Sequence, residues 1–376
     1  MMKVLLVSPR LPPGNSHYCG DYAYTDLLLS YPPPGVTYYH YEDLVANKRA
    51  KRSRFWQATS YYLTKCGFLP PDMWVESLIS DFVPDIVHIY GFSARVSFPQ
   101  APRYPPVIIG AGTGSYSDLK YYHSWPARRI QRARKLKRWY LQTMNAHDSS
   151  LRPEKAAHIL VWSDFSRQMH LQEGYVRPEK ITVLPPGLPS SGQVSCKAER
   201  DAISFLFVGR DFERKNGPLV LEAFRRIHAE YPHTRLLLIG QPADGHIINE
   251  SGVIHRDFVP RDELLRDIYP QADVLLLPSK AEGFGLVIVE AMAMGLPAIA
   301  VDAWAMLEII QHGANGFLIQ PDSLDDLVSA MRRLVMDSAL LQAMKAKSLS
   351  VFKEHFSVDA HNQKLKTIYD QVLLTA

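Results

Sequence analysis

Short apolar runs alternate with longer amphipathic stretches through most of the chain. The runs are rich in β-branched residues and bounded by Gly, Pro or Asp, which is typical of parallel strands buried on both faces. They lie at residues 4–7, 86–89, 107–109, 158–162, 181–184, 205–208, 236–239, 274–277 and 298–301. Helical patterns such as 217–230 and 262–269 stand between them. This alternation predicts an α/β fold with doubly wound sheets.

A dense cluster of Pro, Gly and Ser at residues 185–192 divides the chain. Domains usually hold roughly 100–200 residues, so the 376 residues of this chain predict two of them. We expect an N-terminal domain over residues 1–192, a second domain over 193–355, and a closing segment over 356–376 that is amphipathic from 358 to 374. Ligands of open α/β sheets bind beyond the carboxyl ends of the strands, so two facing sheets would place a site in the cleft between them.

The composition excludes several other classes of protein. Hydrophobic residues form 47% of the chain and charged residues 21%, as in soluble globular proteins. Cys19, Cys66 and Cys196 are far apart and form no Cys-x-x-Cys pair, which excludes a disulfide scaffold and a zinc ribbon. The apolar run after Met1 is too short for a signal peptide, and no run of about 18 uncharged apolar residues could span a bilayer. We therefore expect a cytoplasmic protein.

The net charge of +4 hides an asymmetry along the chain. Residues 1–200 hold 25 Lys and Arg against 15 Asp and Glu, whereas the rest holds 17 against 23. Basic clusters at 48–54 and 120–138 are interleaved with aromatic residues, a pattern suited to anionic lipid headgroups. One hypothesis is that the first domain docks on the inner face of the membrane. A polyanionic glycan or a plain solvated surface fits the same charge, and no nucleic-acid-binding motif is present.

The stretch from 277 to 295 places two carboxylates around a glycine-rich turn. Its pattern predicts a strand that ends at Leu277, a loop that contains Glu282, and a helix that begins after the Gly283-Phe284-Gly285 turn and includes Glu290. Unpaired N–H groups at the start of a helix form a ready site for phosphate. Two carboxylates beside such a site suit a nucleotide-linked sugar. A solvated loop with a capping glutamate explains this stretch alone equally well.

A second loop, from Gly209 to Gly217, follows the predicted strand 205–208 and contains Arg210 and Lys215. Two cations beyond the carboxyl end of a strand could hold a diphosphate. Departure of a nucleoside diphosphate develops negative charge, and the loss of one preorganised donor to such charge typically costs about 3 kcal/mol. The cations would then act mainly on the transition state. A surface loop with ordinary salt bridges is the alternative.

Together these residues resemble the family-4 retaining glycosyltransferases, whose GT-B architecture has two Rossmann-like domains facing across a cleft. The loop from Gly209-Arg210 to Lys215 and Gly217 is similar to the GR…KG loop of the family, and Glu282 and Glu290 match its E-x7-E motif. The likeness covers residues 200–370 well and the first half in outline, through Gly20 and the segments 85–88 and 183–187. In the family, the last helix commonly crosses back to the first domain.

The resemblance implies transfer of a sugar from a nucleotide donor, UDP- or GDP-linked, to a glycan or lipid-linked acceptor, with retention and usually without a required metal or other cofactor. It implies that Arg210 and Lys215 neutralise the leaving diphosphate, that Glu282 contacts the donor sugar and that Glu290 holds the ribose. The remaining residues implied on the donor side are Gly20, Gly209, Gly283, Phe284, Gly285 and Leu286 around the phosphates and the backbone of Phe258 at the base.

Two positions depart from the family pattern, both in the first half. The family usually has two adjacent glycines after the first strand, whereas this chain has Cys19-Gly20. Many members have a histidine after the strand matched here by 107–109, whereas this chain continues with a glycine-rich stretch, 110–118. Asp118 or His123 could contribute to the acceptor side there, and an ordinary turn is the alternative for each.

Two other functions can be compared with this one. A membrane-associated relative that binds a nucleotide sugar or glycan without turnover would fit the altered 110–118 loop. A nicotinamide oxidoreductase needs a G-x-G-x-x-G turn after a strand and an acidic residue roughly 20 residues later. The segment 8–14 lacks that fingerprint and the glycines of 110–114 have the wrong spacing, so we exclude the oxidoreductase.

Overall fold

The structure, a computed structural model, describes residues 1–8, 20–44, 82–90, 105–111, 126, 128–132, 135–136, 139, 156–174, 176–190 and 203–375. The described residues form two units. One contains the residues up to Pro185 together with those from His361 onward, and the other contains Pro186 to Ala360. The predicted boundary at 192/193 lies outside the described residues, so the domain limits stay a prediction.

The first unit contains a six-stranded parallel sheet in the order β2-β1-β3-β4-β5-β6. The strands are β1 (Met2–Val7), β2 (Val36–His40), β3 (Ile86–Tyr90), β4 (Val107–Ala111), β5 (His158–Val161) and β6 (Ile181–Val183), with helices α1 (Gly20–Ser30) and α2 (Asp164–Gln172) between them. Every residue of β3 is buried. The continuous apolar runs of the central strands are therefore the core of this unit, as expected of a parallel sheet covered on both faces.

The second unit has its own six-stranded parallel sheet, in the order β12-β11-β10-β7-β8-β9. Its strands are β7 (Ser204–Val208), β8 (Arg235–Ile239), β9 (Val253–Arg256), β10 (Val274–Leu277), β11 (Ala298–Val301) and β12 (Gly316–Ile319). Its helices are α3 (Gly217–Glu230), α4 (Arg261–Glu263), α5 (Leu286–Ala293), α6 (Met306–Ile309), α7 (Leu324–Met336) and α8 (Ser338–Val351). Phe205, Phe207 and Phe224 lie at the centre of its core.

The final helix, α9 (Val358–Thr375), contributes its residues from His361 onward to the first unit. The Tyr369 hydroxyl lies 2.6 Å from Nδ1 of His88 and 3.0 Å from the hydroxyl of Tyr38. The Nδ2 of Asn362 donates to the carbonyl of Tyr31 at 2.9 Å. The helix thus packs where the resemblance implied, against the first sheet.

The predicted α/β class with two doubly wound sheets is confirmed, and all nine strands predicted from apolar runs are present with ends shifted by at most two residues. Three further strands, β2, β9 and β12, were not predicted. Each lies at an edge of its sheet, where one side has no neighbouring strand. An edge strand such as β9 is only half-buried and alternates instead of forming an apolar run.

The segment predicted as helical at 262–269 is helical, but it is not a single α-helix. It is formed by α4, a π-helical turn over Leu264–Ile268 and a 3-10 turn over Tyr269–Gln271. Pro270 has no N–H and cannot extend an α-helical ladder, which accounts for the tighter final turn. Elsewhere, no helix in the described ranges is long and apolar enough to cross a bilayer.

Candidate functional site

The site forms where two loops of the second unit meet. Because β7 and β10 are adjacent parallel strands, with Phe205 opposite Val274, their carboxyl ends lie side by side. The loop after β7 runs from Gly209 to Asn216, and the loop after β10 leads through Glu282 to α5. This edge of an open α/β sheet is where ligands bind in this class of fold.

Gly209 permits a close approach at the start of the first loop. A Cβ placed on it would lie 2.5 Å from Cζ of Phe207. A Cβ on Gly240, at the end of β8, would lie 2.2 Å from the carbonyl oxygen of Gly209. Only glycine fits either position without displacing neighbouring atoms, so the backbone after β7 lies directly against the backbone after β8.

Lys215 points back toward the end of β7. Its Nζ lies 3.4 Å from the carbonyl oxygen of Val208 and 3.8 Å from Oε2 of Glu282, and 13% of the side chain is exposed. Burial lowers the pKa of Lys215, and Arg214 acts in the same direction. The carboxylates of Glu282, Glu290 and Asp211 oppose that shift. Because the ammonium of Lys215 is already partly desolvated, it loses little further hydration when an anionic ligand binds to it.

Glu282 has a carboxylate oxygen that nothing in the described chain hydrogen-bonds. Its Oε2 is buried without a hydrogen-bond partner, although the Nη1 of Arg214 and the Nζ of Lys215 lie 3.7 and 3.8 Å away. The hydroxyl of Ser279, on the same loop, is also buried without a partner among the described residues. Buried polar atoms are nearly always hydrogen-bonded in native proteins, so exceptions of this kind indicate a site that receives a ligand.

Helix α5 begins at the turn formed by Gly283, Phe284 and Gly285, all of which are buried. Gly285 is the N-cap with φ of 84°, and a Cβ on it would lie 2.8 Å from Cε of Met306. The first N–H groups of a helix have no intrahelical acceptor, so those of Leu286 and its neighbours are suited to bind phosphate. The predicted glycine-rich turn into a helix is therefore present.

Glu290 lies one turn further along α5, and both of its carboxylate oxygens are already bonded. The Nε of Arg261 donates to Oε1 at 2.8 Å, and the hydroxyl of Tyr269 donates to Oε2 at 3.0 Å. Burial and the Glu290 carboxylate raise the pKa of Tyr269 well above its ordinary value, so the tyrosine is a neutral donor. Glu290 is thus held in one orientation at the floor of the site.

The other predicted residues are less closely gathered. Arg210 is exposed and has no hydrogen bond or ion pair within the described part of the chain. Phe258 follows β9 with 42% of its surface exposed. Gly20 begins α1 in the first unit. Asp118 and His123 lie outside the described residues, so the acceptor side stays a prediction.

Three residues of the site were not predicted from the sequence. Arg214 hydrogen-bonds the carbonyl of Ala281 and lies near Glu282, while Arg261 and Tyr269 hold Glu290. Arg214 has a local signal, since it adjoins Lys215 in the same loop. Arg261 and Tyr269 lie 29 and 21 residues before Glu290, in an irregular turn that no helical period links to α5. Within the described ranges, no group of three or more His, Cys, Asp or Glu is placed to hold a metal ion.

Comparison with known proteins agrees with this geometry. Residues 202–337, which contain the whole site, match the family model described as Glycosyl transferases group 1. The UDP-Gal:alpha-D-GlcNAc-diphosphoundecaprenol alpha-1,3-galactosyltransferase of Escherichia coli is 27% identical over 225 residues, covering 54% of this chain and 57% of that protein. The chain spans about half the length of the curated relatives it matches first.

Two solved structures match nearly the whole chain. Sucrose-phosphate synthase from Thermosynechococcus elongatus has a TM-score of 0.68 at 16% identity, covering 100% of both chains. Anabaena HepE in complex with UDP and glucose has a TM-score of 0.64 at 14% identity, covering 98% of this chain and 99% of that one. The two parallel-sheet α/β units match the fold of GT-B glycosyltransferase structures, and the family match falls within the second unit.

Proposed function

We propose that the protein is a retaining glycosyltransferase that moves a sugar from a nucleotide-sugar donor to a glycan or lipid-linked acceptor. The observation that supports this most is the position of Lys215 and Glu282, 3.8 Å apart beside the amino end of α5. A cation and helix N–H groups suit the diphosphate of the donor, and a carboxylate oxygen without a hydrogen-bond partner suits a sugar hydroxyl. UDP is the first nucleotide to test, because it is bound in the structure of Anabaena HepE and appears in the name of the Escherichia coli relative.

In the proposed reaction, the bond between the anomeric carbon and the diphosphate oxygen breaks, and its electron pair leaves with the diphosphate. The acceptor oxygen bonds the same face of that carbon and gives its proton to a diphosphate oxygen. Lys215 and the exposed Arg210 stabilise the charge that develops on the leaving group. No separate nucleophile from the protein is needed in this scheme.

The proposed ribose contact of Glu290 is compatible with its bonds to Arg261 and Tyr269. A carboxylate offers about four lone-pair positions, so two donors leave capacity for a ribose hydroxyl. The same two donors fix the carboxylate in advance, which reduces the entropy lost when the donor substrate binds.

For the acceptor, we propose that the first domain approaches an anionic membrane from its cytoplasmic side. In the basic cluster at 120–138, Arg128, Arg132, Lys135 and Leu136 (67%) are exposed, and so is the adjoining Trp139, at 62%. Exposed cations beside exposed apolar side chains suit the headgroup region of a membrane that holds a lipid-linked acceptor.

A thermal-shift panel of nucleoside diphosphates and nucleotide sugars tests the donor proposal, because a ligand that binds the folded state raises its melting temperature. Nucleotide sugars that bind are then incubated with candidate acceptors, and release of nucleoside diphosphate is measured. Lys215→Met is expected to lower kcat by about a hundredfold, since one donor to developing charge is removed. The anomeric configuration of the product, read by NMR, tests retention.

Two outcomes would contradict the proposal. Inversion at the anomeric carbon would exclude the retaining mechanism. Binding of a nucleotide sugar without release of nucleoside diphosphate, for every acceptor and in the presence of anionic lipid, would favour the binding protein without turnover.

A further inference from the structure

Arg214 connects the two loops of the site. Its carbonyl oxygen accepts from the N–H of Lys280 at 2.8 Å, and its Nη1 donates to the carbonyl oxygen of Ala281 at 2.5 Å. On its own loop, its Nε donates to Oδ2 of Asp211 at 3.0 Å. The guanidinium is therefore fixed from both sides, by a carboxylate on one loop and a carbonyl on the other. A planar group with several donors is suited to such bridging, and the single ammonium of a lysine is not.

One carboxylate oxygen of Glu282 forms ion pairs with both Arg214 and Lys215. This oxygen, Oε2, is 3.7 Å from Nη1 of Arg214 and 3.8 Å from Nζ of Lys215. Both distances exceed those of charge-assisted hydrogen bonds, which are about 2.7–2.9 Å. Two cations at nearly equal distances attract the carboxylate about equally, and neither is close enough to form a direct hydrogen bond with it. Without the guanidinium, the attraction of Lys215 would act alone.

We propose that Arg214 is a positioning residue that holds Glu282 away from Lys215 and so keeps the Lys215 ammonium available for a diphosphate. This inference rests on the proposed function of the site. Arg214 acts through Glu282 and not by contact with substrate. Its removal lets Glu282 shorten its 3.8 Å ion pair with Lys215 to a direct hydrogen bond, which competes with the anionic ligand for the same cation.

The proposal predicts that a second substitution restores the affinity that the first one removes. Arg214→Met is expected to weaken binding of a diphosphate by about tenfold, because Glu282 then competes for one charge-assisted hydrogen bond of the ligand. Adding Glu282→Gln to Arg214→Met is expected to restore most of that affinity, because a neutral amide does not capture Lys215. A residue that merely supports the loop would give losses that add or deepen in the double variant.

Two measurements test this coupling between Arg214 and Glu282. Calorimetric titration with UDP and with inorganic pyrophosphate gives affinity for the wild type, both single variants and the double variant. Acetic anhydride labelling with mass spectrometry reports access to the Lys215 amine without any ligand, and we expect it to slow by about threefold in Arg214→Met and to recover in the double variant. Arg226→Met is the matched control, because Arg226 pairs with Glu222 and Asp325 outside the site.

The outcomes separate the two proposals. Unchanged labelling and unchanged affinity in Arg214→Met, or a further loss on adding Glu282→Gln, would overturn the positioning role. If labelling changes as expected while the wild type binds neither UDP nor pyrophosphate, Arg214 positions Glu282 but the proposed function is wrong. Should Arg214→Met fail to fold, Arg214→Gln decides: its amide keeps a donor for the carbonyl of Ala281 but carries no charge, so labelling of Lys215 must still slow.

Discussion

Glu282 and Glu290 differ, at the scale of single residues, in how their carboxylates are held. The two oxygens of Glu290 accept from Arg261 and Tyr269, and 5% of its side chain is exposed. Glu282 has an oxygen with no hydrogen bond from the described chain. A buried acceptor without a partner costs about 1–3 kcal/mol, which a ligand can recover on binding. Glu290 therefore contributes to the folded state, whereas Glu282 has an acceptor that the proposed donor sugar would use.

The first prediction compares these two glutamates by stability. Glu290→Gln leaves the guanidinium of Arg261, which is only 21% exposed, without its charged partner, and we expect a loss of about 2 kcal/mol of unfolding free energy. Glu282→Gln, the matched change, is expected to alter stability by less than about 1 kcal/mol because Oε2 has no hydrogen bond to lose. Urea unfolding measures the loss of stability in both variants, and equal losses would contradict the proposed difference between the two glutamates.

At the scale of elements, the start of α5 depends on one backbone conformation. Gly285 has φ of 84°, in the left-handed region, and its Cα faces the buried Met306. Gly313 has a similar φ of 80°, and no atom lies within 4 Å of the position that a Cβ would take there. Substitution at either glycine has the same backbone cost, but only substitution at Gly285 also disturbs the site.

The second prediction uses this pair. Gly285→Ala and Gly313→Ala are each expected to lose about 1 kcal/mol of stability from the left-handed conformation. Only Gly285→Ala is expected to weaken nucleoside diphosphate binding, by about tenfold, because its new methyl group must displace Met306 or tilt the first N–H groups of α5. Unfolding and calorimetric titration test this. Equal binding by both variants would mean that α5 does not contact the diphosphate.

Helix α9 is attached to the first unit by two buried histidines. The Nδ1 of His361 donates to the carbonyl of Pro185 at 2.8 Å, so its Nε2 accepts from the Tyr24 hydroxyl at 3.2 Å in a neutral ring. Burial lowers the pKa of His361 to about 4, and burial together with electrostatic repulsion from His361 when both rings are protonated lowers the pKa of His88 to about 3. The unfolded chain takes up protons at its ordinary histidine pKa, near 6.5. The two histidines therefore do not reduce the unfolding free energy above pH 6.5, and they reduce it progressively as the pH drops toward 4.

The third prediction follows from that sign. At pH 5 the two histidines are expected to reduce the unfolding free energy of the first unit by about 2 kcal/mol each relative to pH 7. His88→Asn keeps a polar atom near Tyr369 but cannot titrate, so urea unfolding of this variant should depend less on pH. His355→Asn, which changes an exposed histidine, is the control. An unchanged pH dependence in His88→Asn would contradict the prediction.

At the scale of the whole molecule, the sequence predicted the elements better than the contacts between distant ones. The apolar runs located the central strands, and the motif of Glu282 and Glu290 indicated the candidate site, because both signals are local. The pairing of Tyr369 with His88 joins residues 281 positions apart, and only the family resemblance indicated where that helix would pack. The pair of Arg261 and Glu290 depends on an irregular turn, for which no sequence period exists.

The uneven charge of the chain leads to the last prediction, which concerns membrane binding. Wild-type protein is expected to float with vesicles that contain anionic lipid and not with neutral phosphatidylcholine vesicles, and added salt should reduce the binding. Changing the exposed Arg128, Arg132 and Lys135 to Glu is expected to weaken binding by at least about a hundredfold, since each cation near the surface contributes about 1 kcal/mol.

The matched control changes net charge equally in the second unit, at the exposed residues Arg235, Lys347 and Lys353. If net charge alone drives adsorption, both triple variants lose binding to the same extent. If the basic segment of the first domain is the docking surface, only the first variant detaches, because screening confines each charge to within roughly 8–10 Å at ordinary ionic strength. Equal flotation of the wild type with neutral and anionic vesicles would contradict electrostatic docking. The protein would then have to bind its acceptor without such docking.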